Sequence, residues 1–314
     1  MRKHLREILA QTLPPEELAN IYNSYDIVGD IAIIRLAEPS RQYCHNIAEA
    51  IMSVHKNVKT VLAQVGPVHG DFGIRKLGCI AGEKRTNTTP MESGCLFSVD
   101  VEQCYFSPRL SFERMRVAKQ VKDGEVVVNM FAGVGCFSLL IAKHSNVSKV
   151  YSIDVNSMAI QHMQANIGLN RVYGKVIPIL GDAKEVIERR LCKTADRVLM
   201  PLPEKALEYL PYACLALREG EGWINYYDFE HAKKNEDPIE KAKMRVTEKL
   251  EKVHASFEIP FGRVVRSTGP NWYQVVLEIV VVTDLANLIN TALIGVIEEQ
   301  PNEKKIAGNI GLPN

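Results

Sequence analysis

Phe131-Ala132-Gly133-Val134-Gly135 closes VVVNMF (126–131), a run with strand character, and leads into a stretch of helical pattern at 136–144. Glycines at such a corner let the backbone turn sharply and approach a ligand closely, with the N-terminus of the next helix facing that ligand. Nineteen residues beyond Gly135, at the end of KVYSID (149–154), stands Asp154, where a carboxylate can accept hydrogen bonds from ribose hydroxyls. A GxG alone is a common turn. Strand, GxG, helix, strand and terminal acid in this order read as a nucleoside-binding corner.

The pattern around this corner is regular. A helix over 108–121 precedes the first strand. Helix 157–167, strand KVIPIL (175–180), helix 183–190, strand DRVLM (196–200), helix 204–217 and strand GWINYY (222–227) follow the second. Strand–helix alternation means parallel pairing with right-handed crossovers, hence a doubly wound three-layer α/β sandwich. A charged helix at about 232–254 then leads to two strands, 257–265 and 273–283, joined only by a turn at Gly269-Pro270, so one of them runs antiparallel. Five strand–helix units closed by a hairpin are the pattern of class I methyltransferases, whereas a dinucleotide dehydrogenase keeps alternating.

Residues 1–104 read as a small α+β module. MRKHLREILAQTL has amphipathic helical spacing, DIVGDIAIIRL (26–36) reads as a β run, 41–55 as a helix and 58–66 as a strand. Glycines 66, 70, 73, 78 and 82 then mark a turn-rich stretch before the strand-like GCLFSVDV (94–101). The catalytic domain is expected over 105–283, and 284–314 reads as a tail, partly helical or disordered.

Composition narrows the class. The formal net charge of +1 means that a nucleic-acid footprint must come from local clusters. The seven cysteines form no CxxC pair and their number is odd, so neither a disulfide framework nor a zinc site is indicated, and reduced thiols in a cytoplasmic protein are expected. No apolar run reaches the roughly 20 residues of a membrane span. No metal and no membrane partner are expected, and the chain is taken as a monomer.

NAD and S-adenosylmethionine both carry the ribose that Asp154 suits, so the loop has to separate them. NAD sites favour a third small residue in GxGxxG; here the run is GVGCFS, with bulky Phe137 inside it. A further acid, Asp182 in Gly181-Asp182-Ala183, ends the third strand where methyltransferases bind the adenine amino group, and it equally suits the N-cap of the next helix. After the fourth strand comes Met200-Pro201-Leu202-Pro203. This is the site of the (N/D)PP(Y/F) loop that lines the target pocket in base-N-methyltransferases, or else a plain strand-to-helix turn with Pro203 at the helix start. Cytosine-C5 chemistry needs a cysteine nucleophile beside such a proline, and Cys136, Cys192 and Cys214 do not stand there.

YDIVGDIAII (25–34), GIRKLGCIAGEKRT (73–86), YFSPRLSFERMRVA (105–118), NMFAGVGCFSLLIAK (129–143), YSIDVN (151–156), VLMPLPEKALEYLP (198–211) and INYYDF (224–229) together resemble the archaeal and eukaryotic tRNA (guanine-37-N1)-methyltransferase family. Its relatives include the wyosine-pathway methyl- and aminocarboxypropyl-transferases. The resemblance implies transfer of a methyl group from S-adenosylmethionine to N1 of the guanosine at position 37, in the anticodon loop of tRNA. It implies Glu113 as general base, Arg114 as a cofactor contact and Arg75 as a catalytic cation. Phe131, Gly133, Gly135, Asp154, Asp182, Ala183 and Pro201 are expected at the cofactor; Arg109, Pro203, Lys84 and Arg85 at the substrate.

Two departures stand out. Many members have Asn where this chain has Pro201, and many archaeal members carry a further small N-terminal domain that grips the tRNA elbow, for which this chain starts too late. Guanine N1 is protonated at neutral pH, so its methylation needs a base, and burial is expected to raise the Glu113 pKa towards that range. Arg75 would stabilise charge on O6. Arg109, Arg114, Arg116, Lys119 and Lys122, with Lys84, Arg85, Arg263 and Arg266, form a cationic cluster suited to phosphates, and Tyr43, Tyr105, Phe106 and Phe112 are candidate stacking platforms. Surface pairing of Glu113 with Arg109 or Arg116 is the competing reading. The alternatives in function are a wyosine-pathway transferase acting on a modified guanosine and a non-catalytic RNA-binding module.

Overall fold

A computed structural model of the chain describes residues 5–10, 13–19, 21, 25–69 and 74–282, the side chains of 38–39, 66–69 and 74–75 excepted. Two short helices, α1 (Leu5–Leu9) and α2 (Pro15–Leu18), precede strands β1 (Asp26–Val28) and β2 (Ile31–Ile34). The run read as one strand over 26–36 is therefore an antiparallel hairpin. Its turn is at Gly29, whose φ of +59° favours glycine. Helix α3 (Cys44–Val54) crosses over to β3 (Thr60–His69), which lies parallel to β2. β4 (Ile74–Gly82) then returns antiparallel to β3. Of the glycines that suggested turns, 66, 78 and 82 thus lie within strands, and 70 and 73 lie outside the described residues. The four-stranded sheet runs β1-β2-β3-β4, and its inner strand β2 is buried on both faces. Ala32, Ile34, Val61 and Ala63 meet Leu5, Leu9, Ile47 and Ile51, while Ile31, Ile33 and Leu62 belong to the core of the catalytic half.

The connecting segment holds four two-residue strands, β5 (Asn87–Thr88), β6 (Met91–Glu92), β7 (Cys95–Leu96) and β8 (Val99–Asp100), in place of one strand over 94–101. It then passes through a 3-10 turn, Pro108–Leu110, into α4 (Ser111–Ala118). The doubly wound unit follows: β9 (Val126–Asn129), α5 (Cys136–His144), β10 (Lys149–Asp154), α6 (Ser157–Asn170), β11 (Val176–Leu180), α7 (Ala183–Val186), β12 (Arg197–Met200), α8 (Pro203–Ala216) and β13 (Glu221–His231). Helix α9 (Pro238–Lys252), β14 (Phe257–Gly269) and β15 (Trp272–Val282) complete it. The charged helix starts later than 232 because β13 runs on to His231, and because Pro238 and the Asp237 side chain, bonded to Ile239 N, fix its first turn. The helix read over 183–190 is α7 followed by a wider turn at Ile187–Leu191. The tail, 284–314, lies outside the described residues.

The seven strands are ordered β11-β10-β9-β12-β13-β15-β14, with β15 antiparallel to both of its neighbours. The period-2 alternation of side chains splits the core in two. Val127, Val150, Leu199 and Tyr227 face α4, α5 and α6, while Val128, Ile153, Val198 and Tyr226 face α7, α8 and α9. Among the described residues no helix is long and apolar enough to cross a membrane. Segment 95–98 is laced to α6 by two buried amides. Asn170 accepts from Leu96 N (2.8 Å) and donates to its carbonyl (2.7 Å), and Asn166 does the same for Ser98 (2.6 and 3.1 Å). Each amide satisfies both backbone groups of one residue, so this stretch, grouped with the N-terminal module in the sequence reading, packs as part of the catalytic half.

Candidate active site

The parallel strands all end on one edge of the sheet, and there the loop after β9 turns twice. Gly133 has φ +56° and Gly135 has φ +90°, both in the left-handed region. The two glycines serve different needs. A Cβ at Gly135 would come within 2.5 Å of Leu139 Cδ1 and 2.8 Å of Met163 Cγ, so the bare backbone there lets α5 pack on α6. A Cβ at Gly133 would meet only the Tyr105 carbonyl, at 3.9 Å, and otherwise point into open space. Asp154 is clamped to this loop, its Oδ2 accepting from Gly133 N at 2.6 Å and its Oδ1 from Asn156 N at 2.9 Å. Burial pushes the Asp154 pKa up, opposed by these backbone donors.

Asp182 caps α7 through Lys184 N (2.8 Å), as its position after β11 suggested, and also accepts from the Tyr209 hydroxyl at 2.6 Å. Burial and that carboxylate push the Tyr209 pKa above the ordinary phenol range. The Tyr209 ring meets Phe131 edge-on at 5.3 Å, and Ala183 is buried beside them. Phe131, Asp182, Ala183 and Tyr209 thus form one wall next to the glycine loop. Tyr209 was not singled out from sequence; its signal lay within VLMPLPEKALEYLP. Pro203 is the first residue of α8 and is buried, the helix-start arrangement, while Pro201 is half-buried in the loop before it.

The open space at Gly133, the clamped acid at Asp154 and the free N-terminus of α5 fit a nucleoside cofactor. In it the ribose hydroxyls would lie at Asp154, the chain end at the loop, and the base beside Asp182 and Phe131. The buried thiols Cys104, Cys136 and Cys214 are unsuited to attack, since burial pushes Cys136 up to about 11 and Cys104 and Cys214 up to about 12.

A second corner lies on the opposite face of the sheet. Glu113, near the start of α4, is 1% exposed. Arg116 donates to it twice, Nη2 to Oε1 at 2.7 Å and Nε to Oε2 at 2.9 Å, and the Tyr227 hydroxyl donates to Oε1 at 2.8 Å. Arg116 also pairs with Glu278 of β15, which accepts from Gln120 as well (2.7 Å). Burial disfavours the Arg116 cation, but the two carboxylates outweigh it and hold its pKa above the ordinary value. Burial and the Glu113 charge push the Tyr227 hydroxyl far above its ordinary range, so it stays a donor. The Tyr227 ring touches Phe137 of α5 at 5.9 Å, which joins this corner to the glycine loop. Pairing of Glu113 with Arg116 is therefore real but buried rather than on the surface.

The remaining candidates are spread out. Arg114 is buried, with Nη1 on Glu92 (2.6 Å), Nη2 on the Ser107 carbonyl (3.1 Å) and its guanidinium over Phe106 (5.2 Å). Arg109 pairs with Asp26 of the N-terminal sheet at 2.7 Å, and Arg85 pairs with Asp30 and Glu83 at 2.5 and 2.6 Å. Lys84 is exposed. Arg75 stands on β4, but its side chain lies outside the described residues. Of the aromatic candidates, Phe106 is core, while Tyr105 and Phe112 are exposed.

The family described as the TRM5/TYW2 methyltransferase domain matches residues 88–255, and the TYW2 N-terminal domain matches residues 5–86. The chain belongs to the TRM5/TYW2 methyltransferase family. It is 40% identical over 265 residues to the tRNA (guanine(37)-N(1))-methyltransferase Trm5b of Pyrococcus abyssi, covering 84% of this chain and 77% of that one. The crystal structure of that relative superposes with a TM-score of 0.78, over 90% of this chain and 82% of that one, at 39% identity. A tRNA 4-demethylwyosine(37)-methyltransferase, Taw21 of Saccharolobus solfataricus, is 37% identical over 266 residues, covering 84% of this chain and 96% of that one. A complex of aTrm5 with tRNALeu superposes with a TM-score of 0.76, at 33% identity, over 90% and 79% of the two chains. The TRM5/TYW2 fold is that of class I methyltransferases, and the cofactor is S-adenosylmethionine.

Proposed function

We propose that the chain transfers the methyl group of S-adenosylmethionine to N1 of the guanosine at position 37 of tRNA, with Glu113 as general base. The observation that carries this reading is the Glu113 corner. A buried carboxylate, linked through Tyr227 and Phe137 to the cofactor loop, has an oxygen, Oε2, with only one hydrogen bond of normal length among the described residues. A methyltransferase acting on an atom that already has a free lone pair has no use for such a group. N1 of guanine does, because its proton must leave before or as the methyl arrives.

Bound S-adenosylmethionine supplies an electrophilic methyl group. Asp154 orients the ribose, the N-terminus of α5 and Gly133 receive the chain end, and Asp182, Ala183, Phe131 and Tyr209 line the base. Arg75 is assigned to O6 by the family resemblance. The tRNA substrate is supported by the aTrm5 complex with tRNALeu and by the cations at Arg109, Lys84 and Arg266, which suit the phosphates of an anticodon loop. In this reading the N-terminal sheet, tied to the approach of α4 through Arg109–Asp26, forms part of the RNA surface.

A second reading is methylation of a tricyclic guanosine derivative at the same position. It is favoured by Pro201, which stands where many members have an amide side chain, and by the similarity to Taw21. Transfer of an aminocarboxypropyl group needs no base for N1 and leaves Glu113 without a task.

The test is incubation with labelled S-adenosylmethionine and unmodified tRNA transcripts carrying G or A at position 37, followed by nucleoside mass analysis. The expected product is 1-methylguanosine from the G transcript alone. An unlabelled G transcript contradicts the proposal.

A further inference from the structure

Arg263 stands on β14, the edge strand of the sheet, opposite Val276 of β15. Its Nη1 lies 3.7 Å from Glu113 Oε2, within ion-pair range but beyond a hydrogen bond, and its side chain is 30% exposed against 2% for Glu113. Its guanidinium packs over the ring of Phe112 at 5.0 Å, and that ring is itself 69% exposed. Among the described residues its one hydrogen bond is a long contact from Nε to the Val264 carbonyl, 3.4 Å.

The other charged groups at this corner are committed. Arg116 of α4 is held between Glu113 and Glu278, and Tyr227 of β13 donates to Glu113. Arg266 bonds Gln274, Ser107 and the Tyr105 hydroxyl. Arg263 alone among them combines a partly exposed cation with contact to the carboxylate.

We propose that Arg263 is a second catalytic residue, donating to O6 of the target guanine while Glu113 Oε2 accepts from N1–H, with Phe112 as the ring on which the turned-out base stacks. The inference rests on the methyl-transfer reading given above. The guanine edge offers an acceptor, O6, directly beside a donor, N1–H. A carboxylate oxygen beside a guanidinium N–H, spaced too far apart to saturate one another, is the complement of that pair. Enzymes that act on an extruded base read its Watson–Crick edge and stack it on aromatic or apolar side chains, which is the arrangement Phe112 completes.

During transfer the N1–H proton moves to Glu113 and its electron pair forms the N1–CH3 bond, while the electrons of the broken C–S bond stay on sulfur. Charge that spreads from N1 onto O6 as the proton leaves falls against Arg263, a contact stronger in the transition state than in the ground state.

The test uses the full chain with Arg263→Ala, Arg263→Gln and Arg263→Lys, reading single-turnover methylation of a G37 transcript, its pH profile and tRNA affinity. Arg263→Ala is expected to slow single turnover by about 10²-fold with tRNA affinity changed only by a few-fold. The rising limb of its pH–rate profile should move to higher pH, because N1 then loses its proton with one cation fewer at O6. Arg263→Lys, which keeps the charge, should restore part of the rate, and Arg263→Gln should restore less. A loss of rate equal at every pH, or a loss confined to tRNA affinity, overturns the role of Arg263 and leaves the methyl-transfer reading standing. Nucleoside analysis of the wild-type samples separates the other failure: no methyl on N1 of G37 overturns both readings together.

Discussion

Asp154 and Glu113 are the two carboxylates to which the proposed methyl transfer assigns roles, and the chain holds them by different means. Asp154 is clamped by two backbone N–H groups, those of Gly133 and Asn156, so its position follows from the conformation of a glycine loop and of a helix cap. Glu113 is clamped by side chains, Arg116 from its own helix and Tyr227 from β13, with Glu278 of β15 anchoring Arg116 in turn. A backbone clamp is set once the loop folds. A side-chain clamp is correct only when three separate elements pack in register, and each of its members can be removed singly.

The largest expected effect falls on the side-chain corner. Glu113→Gln keeps the shape and an acceptor but cannot take a proton, so single-turnover methylation should fall by roughly 10²–10⁴-fold with cofactor and tRNA binding nearly intact. Full single-turnover activity in this variant would reduce Glu113 to a structural partner of Arg116. The next effect belongs to the backbone corner. Asp154→Ala should weaken S-adenosylmethionine binding by about 1.5–3 kcal/mol, the worth of hydrogen bonds to a charged group, as read by calorimetry. Unchanged affinity would remove Asp154 from the site.

Two smaller effects test whether the corners are separable. Tyr227→Phe removes one donor from Glu113 and should cost the methylation rate about 1 kcal/mol while leaving cofactor affinity unchanged. An equal loss of cofactor affinity would show that the corners act as one unit. The smallest effect is on pH. Burial raises the Asp154 pKa, and its carboxylate is the proposed acceptor for ribose hydroxyls, so cofactor affinity should be complete above that pKa and fall as pH drops through it. The fall should begin at a higher pH than an ordinary aspartate would give, and should vanish in Asp154→Asn. A titration in calorimetry that stays flat through the acidic range goes against this.

This contrast also explains what could be read before the fold was known. Phe131 to Asp154 is one short stretch in which spacing, glycine and acid carry the glycine loop and its clamped carboxylate, so strand, loop and acid stand where the sequence placed them. The Glu113 corner joins residues 114 and 162 positions apart, as in Tyr227 with Glu113 and Arg116 with Glu278. No local pattern encodes such meetings, and Tyr227, Glu278 and Tyr209 went unremarked. Arg263 was visible only as one cation in a cluster. β4 was hidden for another reason: the glycines that imply turns in isolation sit in a strand, where Gly82, at φ +83°, lies so close to the Lys59 carbonyl that no Cβ fits. The β1–β2 hairpin was masked by the apolar run on both sides of its turn. The two amides on α6 that lace segment 95–98 resemble any polar helix residue until their backbone partners are in place.

The central claim is that plain guanosine at position 37 is the substrate. It is tested most directly by offering the protein, with limiting labelled S-adenosylmethionine, an equimolar mixture of one tRNA carrying unmodified G37 and the same tRNA carrying 4-demethylwyosine there. Nucleoside mass analysis then follows the label. The account predicts that the label appears as 1-methylguanosine. Label confined to the tricyclic nucleoside, with G37 left unmethylated, would contradict it.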